Sequence, residues 1–137
     1  MKTKLFFFLF SITLAIVLIS SCNKDEADDV VTDPRDEITG NYQVTDSLFM
    51  FGSFDSIETF VLLISKDDSD KNKINLINLW NDGDSYYAVG SGNFYSIPSQ
   101  NVSGSYWMSG SISFDGNKVS YETSGDVYIN KGNGTKQ

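Results

Sequence analysis

The sequence predicts an all-β fold, an antiparallel meander of about eight strands that closes or flattens into a barrel. Apolar residues recur with a period of two far better than with the helical period of 3.6. Turn-forming residues recur about every ten positions. The run 60–64 is apolar on both faces, and a closed barrel or two packed sheets would cover more of it than one open sheet.

The clearest strand is 105–114, where the two faces differ in composition. One face carries Tyr106, Met108, Gly110, Ile112 and Phe114. The other carries Ser105, Ser109, Ser111 and Ser113. Side chains alternate across a strand, so the apolar set should face the core. Trp107 is the exception, because it falls on the serine face.

Seven further strands are predicted, at 40–46, 56–66, 74–80, 86–89, 93–97, 118–123 and 126–130. The links between most of them are short and rich in Gly, Asp, Asn and Ser, at 67–73, 81–84, 90–92, 115–117 and 124–125. Such links form tight hairpins, whereas a parallel crossover needs a dozen or more residues. Neighbours in sequence are therefore expected to be neighbours in the sheet.

The N-terminus has the layout of an export signal. Lys2 and Lys4 precede an apolar run, 5–19, interrupted only by Ser11 and Thr13. This run is shorter than the roughly 20 apolar residues of a membrane-spanning helix, which favours a cleaved signal. An uncleaved membrane anchor is the alternative interpretation. The run ends in Ile19-Ser20-Ser21-Cys22, the pattern of a lipobox. Residues 1–21 are thus predicted to be a lipoprotein signal peptide, and Cys22 the lipidated residue that binds the protein to a membrane.

Cys22 is the only cysteine, and the chain contains no histidine. Lipidation of Cys22 therefore excludes disulfides, the usual zinc ligands and a cysteine nucleophile from the exported domain. No metal or cofactor is predicted. Removal of residues 1–21 takes away two of the ten basic residues and none of the 18 acidic ones, which leaves a net charge of −10. That charge disfavours nucleic acid as a partner.

Residues 22–37 are predicted to form an acidic, solvated tether, because they are rich in Asp and Glu and contain Pro34. The folded domain is placed at 38–131 and a polar tail at 132–137. The charged residues directly after Cys22 are similar to a signal that sends some lipoproteins to the surface of the outer membrane. An ordinary charged linker is the alternative reading of the same residues.

The run Asp33-Pro34-Arg35-Asp36-Glu37-Ile38-Thr39-Gly40-Asn41-Tyr42-Gln43-Val44 resembles the opening of small lipocalin-like bacterial lipoproteins. The stretch 97–104, the serine-alternating strand and 116–119 resemble the central part of the same family. The resemblance implies a lipocalin-like barrel and leaves the ligand open. The resemblance ends before the last strand. Because this strand is predicted to be short, the resemblance does not support closure of the barrel.

Several acidic residues are candidates for catalytic or metal-binding groups. The run 68–72 has the alternating oxygens that begin a calcium loop, but Lys73 and Leu79 replace the required Gly and Glu, which excludes an EF-hand. A solvated turn is favoured there and at 81–84, and a weak divalent site spanning both loops stays open. Glu58 and Glu122 lie within predicted strands and are the candidate acids of a carboxylate-dependent hydrolase.

The aromatic residues favour a non-catalytic binding or interaction module over an enzyme. In one version, a small apolar ligand enters the barrel mouth and is lined by Phe60, Leu62, Trp80 and Tyr106. In another, Trp107 and Tyr87 present a platform for a glycan or a protein partner. Cross-strand aromatic packing is the plainer explanation of the same residues. A structural surface component without a ligand is the remaining alternative.

Overall fold

A computed structural model describes residues 32–104 and 106–137, with Ser103 described by its main chain alone. The described chain is all-β apart from one short 3-10 helix, Pro34–Asp36. Its strands are β1 (Gly40–Met50), β2 (Ser53–Lys66), β3 (Lys73–Ile77), β4 (Ser85–Ser91), β5 (Phe94–Ser103), β6 (Tyr106–Asp115), β7 (Lys118–Ser124) and β8 (Tyr128–Lys136). In this part of the chain no helix has the length and apolarity needed to cross a bilayer.

The eight strands form one closed, antiparallel barrel in which each strand pairs with its sequence neighbours. The barrel closes where β1 pairs with β8, from Tyr42 opposite Lys136 to Met50 opposite Tyr128. The predicted meander and barrel of lipocalin-like type are thereby confirmed. A closed barrel satisfies the hydrogen-bonding edges that an open sheet would leave exposed.

The polar tail predicted at 132–137 is wrong, because β8 continues to Lys136. The glycines of this strand make room for neighbouring side chains. A Cβ on Gly132 would stand 2.1 Å from Cζ of Tyr121, and one on Gly134 would stand 2.7 Å from Cγ2 of Val44. A strand glycine of this kind marks close packing rather than a break.

Other strand ends also differ from the prediction. β1 continues past Asp46 to Met50, while β3 ends at Ile77 rather than at Trp80. Asn78 and Asn81 have positive φ angles of 68° and 55°. Asn tolerates this left-handed conformation better than most residues, so the chain leaves the sheet at Asn78.

Inward side chains follow the predicted period of two. Along β1, Tyr42, Val44 and Asp46 are buried while the residues between them are exposed. The apolar core comprises Ile38, Tyr42, Val44, Phe60, Leu62, Ile64, Ile74, Leu76, Leu79, Tyr86, Ala88, Tyr95, Ile97, Met108, Ile112, Phe114, Val119 and Tyr121. Both the core and the pairings that close the barrel therefore come from residues 38–136.

The chain enters the barrel at the end that we call the closed end, where the β2–β3, β4–β5 and β6–β7 connections also lie. There Arg35 is buried. Its Nη1 donates to the main-chain oxygens of Asp67, Asp70 and Lys73 at 3.1, 2.9 and 2.8 Å. Its Nη2 donates to Oδ2 of Asp33 at 2.7 Å. The prediction of a solvated tether through residue 37 is therefore wrong for residues 33–37, which belong to the folded domain.

The opposite end, which we call the open end, carries the β1–β2, β3–β4, β5–β6 and β7–β8 connections. β3 pairs with β2 only along Leu63–Lys66. Among the described residues, the part of β2 before Leu63 consequently has a strand on one side only, namely β1. The β3–β4 loop lies beside this part, where Nδ2 of Asn78 donates to the Val61 oxygen at 2.9 Å. The barrel wall is thus incomplete at the open end.

Candidate ligand-binding cavity at the open end

A cavity of about 420 Å³ opens at this end of the barrel. Its volume lies in the lower part of the range of small-molecule sites. It is lined by Asp46, Leu48, Met50, Ser56, Glu58, Trp80, Val102, Tyr106, Val127, Tyr128 and Asn130. These residues come from β1, β2, β5, β6 and β8 and from two of the open-end connections.

The register of β1 and β2 orders the cavity from floor to rim. Val44 lies opposite Phe60 in the packed core, and Asp46 lies opposite Glu58 one inward position further. Leu48 opposite Ser56 comes next, and Met50 lies at the rim. Asp46 therefore lies at the floor, the exposed Glu58 lies opposite it on β2, and the apolar side chains of β1 lie nearer the mouth.

Asp46 and Asn130 form a buried polar floor. Their side chains belong to residues that are 5% and 8% exposed. Nδ2 of Asn130 donates to Oδ2 of Asp46 at 2.6 Å. Oδ1 of Asp46 and Oδ1 of Asn130 have no hydrogen-bond partner among the described residues. Buried acceptors without a donor are costly in a folded protein, so these two oxygens mark the polar part of the cavity at which a bound molecule could donate a hydrogen bond.

Burial raises the pKa of the Asp46 carboxyl above its ordinary value, although the hydrogen bond from Asn130 opposes the change. The charge of Glu58, opposite on β2, acts in the same direction as burial. Burial likewise raises the pKa of Tyr121, with a further contribution from the nearby Asp46 charge. The Tyr121 hydroxyl donates to the Leu79 main-chain oxygen at 3.3 Å, which holds the β3–β4 loop against β7.

Trp80 forms one wall of the cavity and is fixed by two contacts. Its Nε1 donates to Oγ1 of Thr123 at 3.0 Å. Its ring meets that of Tyr128 edge to face, with centroids 5.0 Å apart and an interplanar angle of 83°. This geometry is favourable for aromatic pairs. The wall is thus held in place by the protein itself.

The cavity includes two of the four residues predicted to line a barrel mouth. Trp80 and Tyr106 line it. Phe60 and Leu62 do not, since both are buried in the core below the floor. The prediction is wrong for these two residues because they occupy inward positions of β2 that lie nearer the closed end, where side chains fill the barrel.

The predicted platform residues lie outside the cavity. Trp107 is 51% exposed, as its place on the serine face predicted. Tyr87 is half-buried, and the ammonium of Lys73 stands 4.4 Å from its ring centroid, a cation–π arrangement. Among residues 32–104 and 106–137, no ring pairing joins Tyr87 to Trp107. Tyr87 lies on β4 and Trp107 on β6, with β5 between them.

The two candidate acids lie apart. Glu58 lines the cavity and is exposed, and its Oε2 accepts from Nδ2 of Asn81 at 3.2 Å. Glu122 is exposed away from the cavity, and its Oε2 lies 3.0 Å from Nζ of Lys131. The carboxyl that is buried with a raised pKa is that of Asp46, which sequence reasoning missed. The period of two could have identified Asp46 as an inward-facing residue, since it continues the series begun by Tyr42 and Val44.

The acidic loops are used as turns. Oδ1 of Asp67 accepts from the main-chain nitrogens of Ser69 and Asp70 at 2.9 and 3.0 Å. Oδ1 of Asp82 accepts from the nitrogen of Asp84 at 3.0 Å. The two loops flank β3 and so lie at opposite ends of the barrel, which makes the two-loop divalent site wrong. The described residues contain no cluster of three acidic, Cys or His side chains placed to hold a metal.

Comparison of the chain with protein-family models, curated proteins and solved structures returned no match. The arrangement of the cavity therefore carries the functional argument. Cys22 and the predicted signal peptide lie outside the described residues.

Proposed function

We propose that this protein is a lipid-anchored, non-catalytic binding protein of the bacterial cell envelope, and that it takes a small apolar ligand into the open-end cavity. The observation that supports this proposal is an apolar-walled chamber whose buried polar floor holds two oxygen atoms without a hydrogen-bond partner among the described residues. Sites for small molecules usually combine apolar walls with a few such polar groups.

The contrast between the two ends supports the same proposal. At the closed end, Arg35 donates to the main-chain oxygens of Asp67 and Asp70 in the β2–β3 connection, and Ile38 is buried. At the open end, the aromatic wall is fixed by hydrogen bonds before any ligand arrives. A pre-formed wall lowers the ordering cost of binding.

The proposal is tested by native mass spectrometry of the full-length chain in nanodiscs, after exposure to a lipid extract. Ser56→Trp places a bulky side chain in the cavity, and Ser96→Trp places the same side chain at an exposed position on β5. We expect a retained small molecule in the parent protein and in Ser96→Trp, and its loss in Ser56→Trp. Equal occupancy of both variants, or no retained mass in any of them, would refute a cavity ligand.

Trp107 provides an independent check against the platform version. Since Trp107 lies outside the cavity, Trp107→Ala is expected to leave cavity occupancy unchanged, whereas a glycan or protein partner on the outer face would be lost. Binding that disappears in Trp107→Ala and persists in Ser56→Trp would replace the cavity proposal with the platform.

The proposed location rests on the lipobox and on the acidic residues after Cys22. We propose lipidation of Cys22 and residence in the outer membrane, with the domain at the cell surface. The described domain begins at its closed end, so the cavity mouth lies at the end opposite the point where the chain enters. Loss of acyl labelling in Cys22→Ala would support the anchor, and resistance of the domain to protease added to whole cells would contradict surface exposure.

A further inference from the structure

The charge of the cavity lining is one-sided. Of the residues that line it, Asp46 and Glu58 are acidic and none is basic. Lys131, adjacent to Asn130, is exposed and its ammonium lies 3.0 Å from Glu122, away from the cavity. The cavity therefore offers negative charge without a counter-ion of its own.

The hydrogen-bonding capacity of the floor is one-sided as well. An ionised carboxylate only accepts hydrogen bonds, and the Nδ2 group of Asn130 already donates to Asp46. The unpaired floor atoms, Oδ1 of Asp46 and Oδ1 of Asn130, are both acceptors on side chains more than nine-tenths buried. A donor with positive charge would pair with these two oxygens and would also offset the two carboxylates.

The upper cavity and its rim are apolar. Leu48, Met50, Val102 and Val127 line the cavity together with the rings of Trp80, Tyr106 and Tyr128. Beyond the rim, the tip of the β1–β2 hairpin exposes Phe51, which is 80% accessible, and Phe54. An occupant whose polar group reaches the floor would thus lay its apolar part along the walls toward the mouth.

We infer that the cavity selects an organic ammonium compound, in which a protonated amine meets Asp46, Glu58 and Asn130 and a hydrocarbon part fills the apolar walls. This inference rests on the binding function proposed above and assigns its ligand class. A fatty-acid carboxylate would bring another negative charge and further acceptor atoms to a floor whose unpaired atoms are already acceptors, so the cavity disfavours it.

The test compares three probes of equal chain length, octylamine, octanol and octanoate, on the full-length chain in nanodiscs. Trp80 lines the cavity and Trp107 does not, so the Trp107→Phe variant leaves Trp80 as the only tryptophan and its fluorescence as the readout. Empty nanodiscs correct for partition of each probe into lipid. We expect octylamine to bind at least about tenfold more tightly than octanol, and octanoate more weakly than octanol.

Two isosteric variants separate charge from shape. Asp46→Asn and Glu58→Gln keep the side-chain volumes and remove one negative charge each. We expect Asp46→Asn to weaken octylamine about tenfold or more and Glu58→Gln to weaken it less, while octanol changes by no more than about twofold in either. Asp115→Asn removes one negative charge at an exposed position of β6 outside the cavity, and should change none of the three constants.

The outcomes distinguish this inference from the proposed function. Octanol or octanoate binding as tightly as octylamine, or octylamine binding unchanged by Asp46→Asn, would overturn the ammonium assignment and leave the cavity a binding site. Failure of all three probes to change Trp80 fluorescence would count against both.

Discussion

The closed and open halves of this barrel are built from the same strands, yet their interiors differ. Toward the closed end, β1 and β2 direct Tyr42, Val44, Leu62 and Ile64 inward, and these side chains are almost fully buried. Toward the open end, the same strands direct inward Asp46, Glu58 and Leu48, which line a cavity. The difference shows that strand pairing alone does not decide whether a barrel is filled, because the side chains at the inward positions decide it.

The largest loss of stability is expected for a substitution in the closed half, where side chains fill the interior. Leu62→Ala should lower the free energy of unfolding by about 2–5 kcal/mol, because it leaves a void among fully buried neighbours. Leu48→Ala removes the same atoms from a wall that already faces a cavity, and should cost less than about 1.5 kcal/mol. Urea denaturation of both variants measures the comparison. Equal losses would mean that the open half is packed as tightly as the closed half.

The last strand offers the next test. Gly132→Ala should destabilise by about 1–3 kcal/mol, because its Cβ would overlap the Tyr121 ring that packs on β8. Replacing Gly by Ala in an unhindered strand would instead stabilise the protein, so the sign of the change is diagnostic. Thr135→Ala, at an exposed position of β8, is the matched control. A stabilised Gly132→Ala would contradict the packing of Tyr121.

The closed end should also depend on Arg35. Arg35→Ala removes three hydrogen bonds to main-chain oxygens and the ion pair with Asp33, and should lower the Tm by several degrees. Lys66→Ala removes only an exposed ion pair with Asp36 and should change the Tm little. Differential scanning fluorimetry compares the two. Equal Tm values would show that residues 33–37 behave as the tether that the sequence predicted.

Acid should weaken the same end. Hydrogen bonds from Arg35 hold the pKa of Asp33 well below its ordinary value of 3.8, and those from Ser69 lower the pKa of Asp67 in the same way. A carboxyl with a lowered folded-state pKa contributes stability that is present above the ordinary value and is lost as the pH falls below it. The Tm should therefore fall below about pH 4, and less steeply in Arg35→Ala. A parallel fall in both proteins would contradict the role of Asp33.

The smallest expected change in stability is a stabilisation, in the open half. Asp46→Asn should stabilise the protein at neutral pH by about 0.5–2 kcal/mol, since it removes a buried charge that faces Glu58, Tyr121 and Asn130. Because the folded-state pKa of Asp46 is raised, its cost appears as the pH rises through that pKa, and the gain should vanish at low pH. Asp115→Asn, at the exposed end of β6, is the control. Destabilisation by Asp46→Asn at neutral pH would show that the charge supports the fold.

Much of the fold could be predicted from the sequence because one-sided burial imposes a period of two. Ile112 and Phe114 are buried and Trp107 is exposed, as the alternation with serine predicted. The full length of the last strand was missed, since β8 continues to Lys136 through residues that were predicted to be a polar tail. Only the three-dimensional neighbours of Gly132 and Gly134 show that these positions lack side chains to admit Tyr121 and Val44.

The cavity was less predictable. Trp80 and Tyr106 were identified as large aromatic residues, but their placement at the mouth depends on the turn at Asn78 and on the register of β5 with β6. Arg35 was assigned to a tether because the residues around it are acidic and include Pro34, whereas its hydrogen-bond partners are main-chain oxygens more than 30 residues away. Its buried hydrogen bonds depend on tertiary contacts that neither charge nor periodicity encodes.

The most direct test of a filled closed half and a binding open half is a methyl-resolved NMR titration of the protein with octylamine. The account predicts chemical-shift changes at Leu48, Met50, Val102 and Val127, all of which line the cavity. It predicts no change at Val44, Leu62, Ile64 and Leu76, which lie in the packed core. Changes spread through the core, or confined to residues around Trp107, would contradict the account.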